Sequence, residues 1–347
     1  MGCSVTAVDF RPARPTLADV ARAAGVSCAT ASRVLNGYPR VRPETRRQVE
    51  SAMAALGYER QRAARSATQK LSRSIAFVVC EEGLRLFSDP YFARIVVGVS
   101  REVTAAGLQL VLLTVPSTKD CQAPAMHFLG SGHVDGALFV SMHGRSPLDL
   151  DRIGVPVVVG GRPVFGEKEY EVSYVDADNH GGAARAVRHL IDSGRSAIAT
   201  VAGPRDMAAG MDRLAGYRQV MADAERSDHG LVFFGDFGQA SGEHATARLL
   251  DRRPDVDAIF TASDLMAVGV LRALRRAGRR VPDDVAVVGF DDLPIGRRTD
   301  PPLTTVRQPI EEMGARMTRD LLGLIVGGRT GRRGVVLDTE LVLRASA

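Results

Sequence analysis

No run of eighteen apolar residues occurs in the chain, so nothing in it is long and apolar enough to cross a bilayer as a helix. The N-terminus also lacks an early basic region followed by an apolar stretch of roughly 7 to 15 residues, so no secretory signal is expected. Met1-Gly2 with Thr6 matches an acylation pattern too short to carry weight without a second anchor signal. The cysteines Cys3, Cys28, Cys80 and Cys121 show neither C-x-x-C spacing nor the density of a secreted scaffold. Reduced thiols in a cytosol and no disulfide are the expectation. Cys121, His127, His133 and His143 are scattered without metal-ligand spacing. Asp176, Asp178, His180 and Gly181 imitate the opening of a calcium loop, but its fifth position is His and its twelfth is Val187, where a bidentate Glu is needed. There is no G-x-S-x-G elbow and no phosphate-binding P-loop, and Gly130-Ser131-Gly132 is off register for a dinucleotide turn. No cofactor, no metal and no catalytic constellation are therefore expected.

What is present is unevenly distributed. The 347 residues are 45% apolar and 24% charged, enough for two or three domains of ordinary composition. Residues 1–73 carry thirteen Lys and Arg against five Asp and Glu, a net of +8, while the remainder carries 32 against 35, a net of −3. The whole excess of +5 sits in the N-terminal fifth, where a phosphate backbone would attract it.

That same stretch holds a helix-turn-helix pattern from Thr16 to Asn36. Thr16 and Asp19 form a capping-box start after Pro15, and Leu17, Val20, Ala21 and Ala24 fall on one helical face. Gly25 stops the helix, Val26 plugs the space between two helices, and Ser27 caps a second helix from Cys28 to Leu35. Two short capped helices joined through a glycine let the second enter a major groove. A third helix is expected over Pro43–Leu56, with Arg42 where a capping side chain would help, and Gly57 as its stop. Residues 59–73, rich in Arg, Gln, Ala and Ser, read as a linker without a core of its own.

From Ser74 the pattern becomes apolar β-rich runs alternating with helical segments, which marks parallel α/β sheets. Eight strands are expected between Ile75 and Phe290, with a last β run over Val335–Leu343. Six helices are expected, the last over Ile310–Val326. Two doubly wound subdomains with a ligand between them, at the carboxyl ends of the strands, fit this count better than one sheet. Only four residues follow Leu343, which leaves no room there for the heptads of a coiled-coil tetramer.

TLADVARAAGVSCATASRVLNG, the following V-x-P-E-T-R-R-Q-V, LGY and AARS resemble the DNA-binding head and hinge of the LacI family of bacterial transcriptional regulators. DPYF at Asp89–Phe92, DRLAGYRQ at Asp212–Gln219, GDF at Gly235–Phe237, SDLMAVG at Ser263–Gly269, VPDDVAVVGFDD ending at Asp292 and PPLTTVRQP at Pro301–Pro309 are similar to its effector-binding core. The resemblance runs from Thr16 to the C-terminus. It implies a three-helix head plus a core of the periplasmic-binding-protein-like type. The expected limits are a disordered leader over 1–14, the head over 15–58, the hinge over 59–73 and the core over 74–347. Within the core, one subdomain takes about 74–174 plus 308–328 and the other about 175–307 plus 329–347. The family further implies a cytoplasmic, nucleoid-associated homodimer on a palindromic double-stranded operator, released or tightened by a small molecule.

Carried onto this chain, Cys28, Ala29 and Arg33 are the base-facing candidates, with Arg33 suited to bidentate contact with guanine or, in the competing reading, to a phosphate contact or a solvated charge. Thr16, Ser27, Thr30, Ser32 and Asn36 suit phosphates and positioning. In the hinge, Arg62 and Arg65 suit the minor groove, while Ala67 stands where the family places a leucine wedge and cannot prop a base step open. The cleft candidates are Asp89, Tyr91 and Phe92 from one lobe, Arg162 after its strand, and Arg213, Phe237, Asp264 and Asp291 from the other. Arginine and carboxylates beside an aromatic form a polyol-binding set, so a sugar or glycoside is the expected effector. A nucleobase or nucleoside co-repressor, or a sugar-binding protein without a DNA role, are the alternatives.

Overall fold

The computed structural model describes residues 17–35, 41–56, 71–115, 122–144, 150, 153–163, 172–327 and 334–347. The chain divides into a unit within residues 1–70 and a unit over 71–347.

In the first unit, α1 (Leu17–Ala23), α2 (Cys28–Leu35) and α3 (Pro43–Ala55) surround a small core of Val20, Ala21, Ala31, Val34, Val49 and Ala52. Val26 packs against that core from the turn, and Gly25 takes φ +67°, a left-handed value that glycine adopts without steric cost. The third helix starts without a side-chain cap from Arg42, and Pro43 at its first position offsets the loss by needing no N–H partner.

The second unit contains two six-stranded sheets. The first is ordered β2 (Gln109–Thr114), β1 (Ser74–Val79), β3 (Gly136–Val140), β4 (Val157–Gly160), β5 (Ser173–Ala177) and β11 (Gly334–Leu337), and all its pairings are parallel. The second is ordered β7 (Val232–Phe234), β6 (Ile198–Ala202), β8 (Ala258–Thr261), β9 (Ala286–Asp291), β10 (Thr304–Arg307) and β12 (Glu340–Val342), with only the last pair antiparallel. Helices α4 (Gly83–Ser88), α5 (Pro90–Ala105), α6 (Gln122–Gly130) and α11 (Ile310–Ile325) belong to the first lobe. Helices α7 (Asn179–Asp192), α8 (Ala208–Asp223), α9 (Gln239–Arg252) and α10 (Asp264–Arg276) belong to the second.

Strands β5 and β10 were not among the expected runs. SYVDA and TTVR are short and interrupted by polar residues, and they extend because each lies between neighbours that satisfy both of its edges. The expected subdomain limits are corrected accordingly. Residues 173–177 complete the first sheet beyond the expected limit at 174, and 334–337 return to that sheet although 329–347 was expected in the second lobe. The chain thus passes between lobes after β5, after β10 and after β11.

Helices α5 and α11 approach each other at reciprocal glycines. A methyl on Gly98 would stand 1.9 Å from the carbonyl oxygen of Glu311, and one on Gly314 would stand 2.3 Å from that of Ile95. Arg94 on the same face grips Glu311 with two hydrogen bonds of 2.6 and 2.7 Å, and donates to the carbonyl of Asp292 at 3.2 Å. This crossing fixes the first lobe against the loop that ends β9.

Candidate functional site

The head's second helix begins on Ser27, whose Oγ accepts the N–H of Thr30 at 3.1 Å and shares a 2.9 Å hydrogen bond with its hydroxyl. With Ala31 and Val34 turned into the core, Cys28, Ala29 and Arg33 are exposed, and Thr30 and Ser32 are half-buried. Residues 28, 29, 32 and 33 share one helical face. The candidates Thr16, Asn36, Arg62, Arg65 and Ala67 lie outside the described residues.

In the core, the order β2-β1-β3-β4-β5 and its counterpart β7-β6-β8-β9-β10 both reverse beside their first strand, the position where doubly wound sheets bind ligands at strand carboxyl ends. A cleft of about 790 Å³, its mouth included, lies there between the lobes. From the first lobe it takes Asp89, Tyr91, Phe92, Ser141, Arg162 and Asp176, and from the second Asn179, Arg213, Phe237 and Asp291, with Gln308 at the return crossing. Seven of the eight expected cleft residues therefore meet in one place.

Arg213 is the centre of the second wall. Its Nε donates to Asn179 Oδ1 at 2.9 Å, its Nη1 donates to the carbonyl of Ala262 and to Asp291 Oδ1 at 3.3 Å, and its guanidinium lies 3.7 Å over the Phe290 ring. Asn179 in turn donates to Asp176 Oδ1 at 2.9 Å, and Gln308 Nε2 donates to Asp291 Oδ1 at 2.5 Å. A polar chain from Asp176 through Asn179, Arg213 and Asp291 to Gln308 thus runs along the cleft. Burial pushes the Asp291 carboxyl up to about 7, against the pull of Arg213. Asp291 also takes φ +116°, and Asp292 takes φ +51°. Such backbone is costly and gathers at functional sites. Asp292 is braced by Arg307 at 2.8 Å and by Arg344, which hold its carboxyl below the usual range against the cost of burial.

Phe237 presents its ring beside Arg213, 5.6 Å from the guanidinium carbon. Its left-handed backbone, φ +68°, is secured by Ser263, whose hydroxyl donates to the Phe237 carbonyl at 2.9 Å and accepts the Met266 N–H at 3.1 Å. Gly203 leaves room for the ring, since a methyl there would stand 2.4 Å from it. On the first wall, Asp89 caps α5 by accepting the Tyr91 N–H at 2.9 Å, and burial raises its carboxyl against that hydrogen bond. Asp176 is raised in the same way, although it accepts the backbone N–H groups of Arg162 and Ala177.

One expectation is corrected. Asp264 does not line the cleft. It is fully buried behind β9, where one oxygen accepts the Leu293 N–H at 2.7 Å and the other accepts the Thr305 hydroxyl at 2.5 Å. It is also not the cap of α10, a place taken by Ser263. Arg162 does reach the cleft, but its Nη2 donates to Asp212 Oδ1 of the other lobe at 2.6 Å, so its charge is spent on a carboxylate rather than aimed inward. Asp176, Asn179, Ser141 and Gln308 were not expected. Asp176 had entered only as part of the failed calcium pattern, and Gln308 stands inside the TTVRQP segment without any local signal.

A helix-turn-helix unit with a basic surplus, on one chain with a two-lobed polar cleft, defines a ligand-responsive DNA-binding regulator. The chain belongs to the LacI family of bacterial transcriptional regulators. Residues 16–61 match the family described as bacterial regulatory proteins, lacI family, and residues 187–347 match a periplasmic binding protein-like domain. The HTH-type transcriptional regulator CelR of Thermobifida fusca is 47% identical over 339 residues, covering 97% of this chain and 99% of the relative. A solved CelR–cellobiose complex superposes with a TM-score of 0.77 at 46% identity, covering 96% of this chain and 100% of that one. The lac repressor dimer bound to operator and an anti-inducer superposes at 0.70 with 28% identity, covering 96% and 99%. Among the described residues no helix is long and apolar enough to cross a membrane.

Proposed function

We propose that the protein is a homodimeric cytoplasmic repressor, held at a palindromic operator on the nucleoid, whose cleft takes a short oligosaccharide of the cellobiose type. The observation that carries this reading is the chain Asp176, Asn179, Arg213, Asp291 and Gln308 beside the face of Phe237. Sugar hydroxyls each donate and accept, and this row of carboxylates, amides and guanidinium offers both roles in sequence. A pyranose ring also has an apolar face to lay on an aromatic, and a relative at 46% identity, CelR, was solved as a complex with cellobiose. The head reads bases through Cys28, Ala29 and Arg33, Ser27, Thr30 and Ser32 serve phosphates, and residues 59–73 supply the hinge. The effector is bound and released unchanged.

A mobility-shift assay on operator fragments selected from the host genome, with and without cellobiose, tests the reading. A palindromic site whose affinity changes with cellobiose but not with ribose supports it, and the direction of the change gives the sign of control. Sequence-selective binding indifferent to every oligosaccharide tried would remove the carbohydrate assignment. Loss of DNA binding in an Arg33→Ala, Ser27→Ala double variant with unchanged sugar binding would place the two activities on separate units.

A further inference from the structure

Around the mouth of the cleft, cations of the first lobe face carboxylates of the second. Arg162 meets Asp212 at 2.6 Å. His143, just after β3, lies 3.3 Å through Nδ1 from Asp206 Oδ2 of the second lobe and 3.4 Å through Nε2 from Glu81 Oε1 of its own lobe. The N–H of Gly144 donates to the carbonyl of Asp206 at 2.8 Å, so backbone as well as side chain crosses the gap here. Met142 and Met207, the sequence neighbours of these two residues, line the cleft. Arg85 also faces this group, its Nε 3.6 Å from Glu81 Oε1, and the Asp89 carboxyl lies within electrostatic reach of Glu81.

Of the rim cations, only His143 changes charge near neutrality. An imidazolium donates from both nitrogens and satisfies Glu81 and Asp206 together. A neutral imidazole has one N–H, so its other nitrogen sets a lone pair against a carboxylate. Glu81 stays beside His143 whatever the lobes do, because both belong to the first lobe, whereas Asp206 departs when the cleft opens.

We propose that His143 is a proton-dependent latch on the closed cleft, tying the first lobe to Asp206 so that closure over the effector takes up a proton. The proposal rests on the cleft being the effector site. The hydrogen bond that His143 donates to Glu81 raises it above its ordinary 6.5, against burial, and Asp206 adds to the rise only while the lobes are shut. Effector affinity is therefore greatest below the open-state titration of His143 and falls as pH rises through the closed-state one. For an ion pair about one-fifth exposed on each side, the change is about two- to five-fold.

Two measurements on the full chain decide it. With histidine ring-labelled protein, the NMR signal missing from His143→Gln identifies His143 among the seven histidines. It should titrate at higher pH in the native chain than in Asp206→Asn, and equal titration in the two overturns the latch whatever the ligand. Calorimetric titration with cellobiose at about pH 6 and about pH 8.5 should show affinity falling about two- to five-fold more in the native protein than in His143→Gln. Asp291 is present in both and cancels, so parallel pH profiles overturn the latch. No sugar binding at either pH, with His143 still sensitive to Asp206, refutes the carbohydrate reading and supports the latch.

Discussion

Replacing Asp291 by Asn sets the stability of the core against its ligand chemistry. Asp291 is buried at the end of β9, accepts hydrogen bonds from Arg213 and Gln308, and has its carboxyl pushed by burial from 3.8 up to about 7. At about 1.4 kcal/mol for each pH unit, that displacement weighs about 4 kcal/mol against the charged form. Folded Asp291 keeps a proton that the unfolded chain releases from 3.8 upward, so the core loses stability as pH rises through this window and is least stable above about 7. Asn copies the protonated acid in shape and charge, and Arg213 faces the same neutral partner in both. The Asn variant therefore avoids the loss. It should exceed the native protein by about 2 kcal/mol at pH 5 and by about 4 kcal/mol at pH 8, and should no longer bind sugar. The chain contains no tryptophan, so urea unfolding followed by far-UV circular dichroism is the suitable assay. A variant less stable than the native protein at pH 8, or a difference that does not grow between the two pH values, would refute the reasoning. Either result would mean that Arg213 and Gln308 keep the carboxylate charged through the whole range.

Arg33→Ala should weaken operator binding by about 1 to 3 kcal/mol and relax discrimination at one base pair. Selection on randomised operators checks this, and uniform weakening over all sequences would assign Arg33 to a phosphate instead. Gly314→Ala forces a methyl to within 2.3 Å of the Ile95 carbonyl, so it should destabilise the core by about 1 to 3 kcal/mol in urea unfolding. Gly98→Ala should cost about as much, and the double variant less than the sum, because both methyls press apart the same helix crossing.

How far the sequence could be read depended on how local each determinant was. Gly25, Ser27 and the spacing of Val20, Ala21, Ala31 and Val34 lie within twenty residues, and the head follows from them. The strands of the two sheet centres are likewise continuous apolar runs. SYVDA and TTVR carry no such run, and only their neighbours on both sides make them strands. Asp264 and Asp291 look alike in sequence, each just beyond an apolar strand, yet one is closed off by Leu293 and Thr305 and the other opens into the cleft. Glycine at 289 marks the difference, because a methyl there would stand 2.3 Å from Asp264 Oδ1, and that is a contact no periodicity encodes.

The same distinction bears on how a ligand can do more than bind. Arg213 and Asp291 both belong to the second lobe, so their pairing is the same whether the lobes are apart or together. An equilibrium between open and closed lobes moves only through contacts that differ between the two. Among the contacts that join the two lobes are Arg162 with Asp212, 50 residues apart, and His143 with Asp206, 63 residues apart. Each joins segments that meet only because the chain crosses between lobes, which is why His143 looked like one of several scattered histidines. The polar residues that line the cleft were therefore legible as a chemical class, while the pairs that join its two lobes became visible only once both lobes were placed.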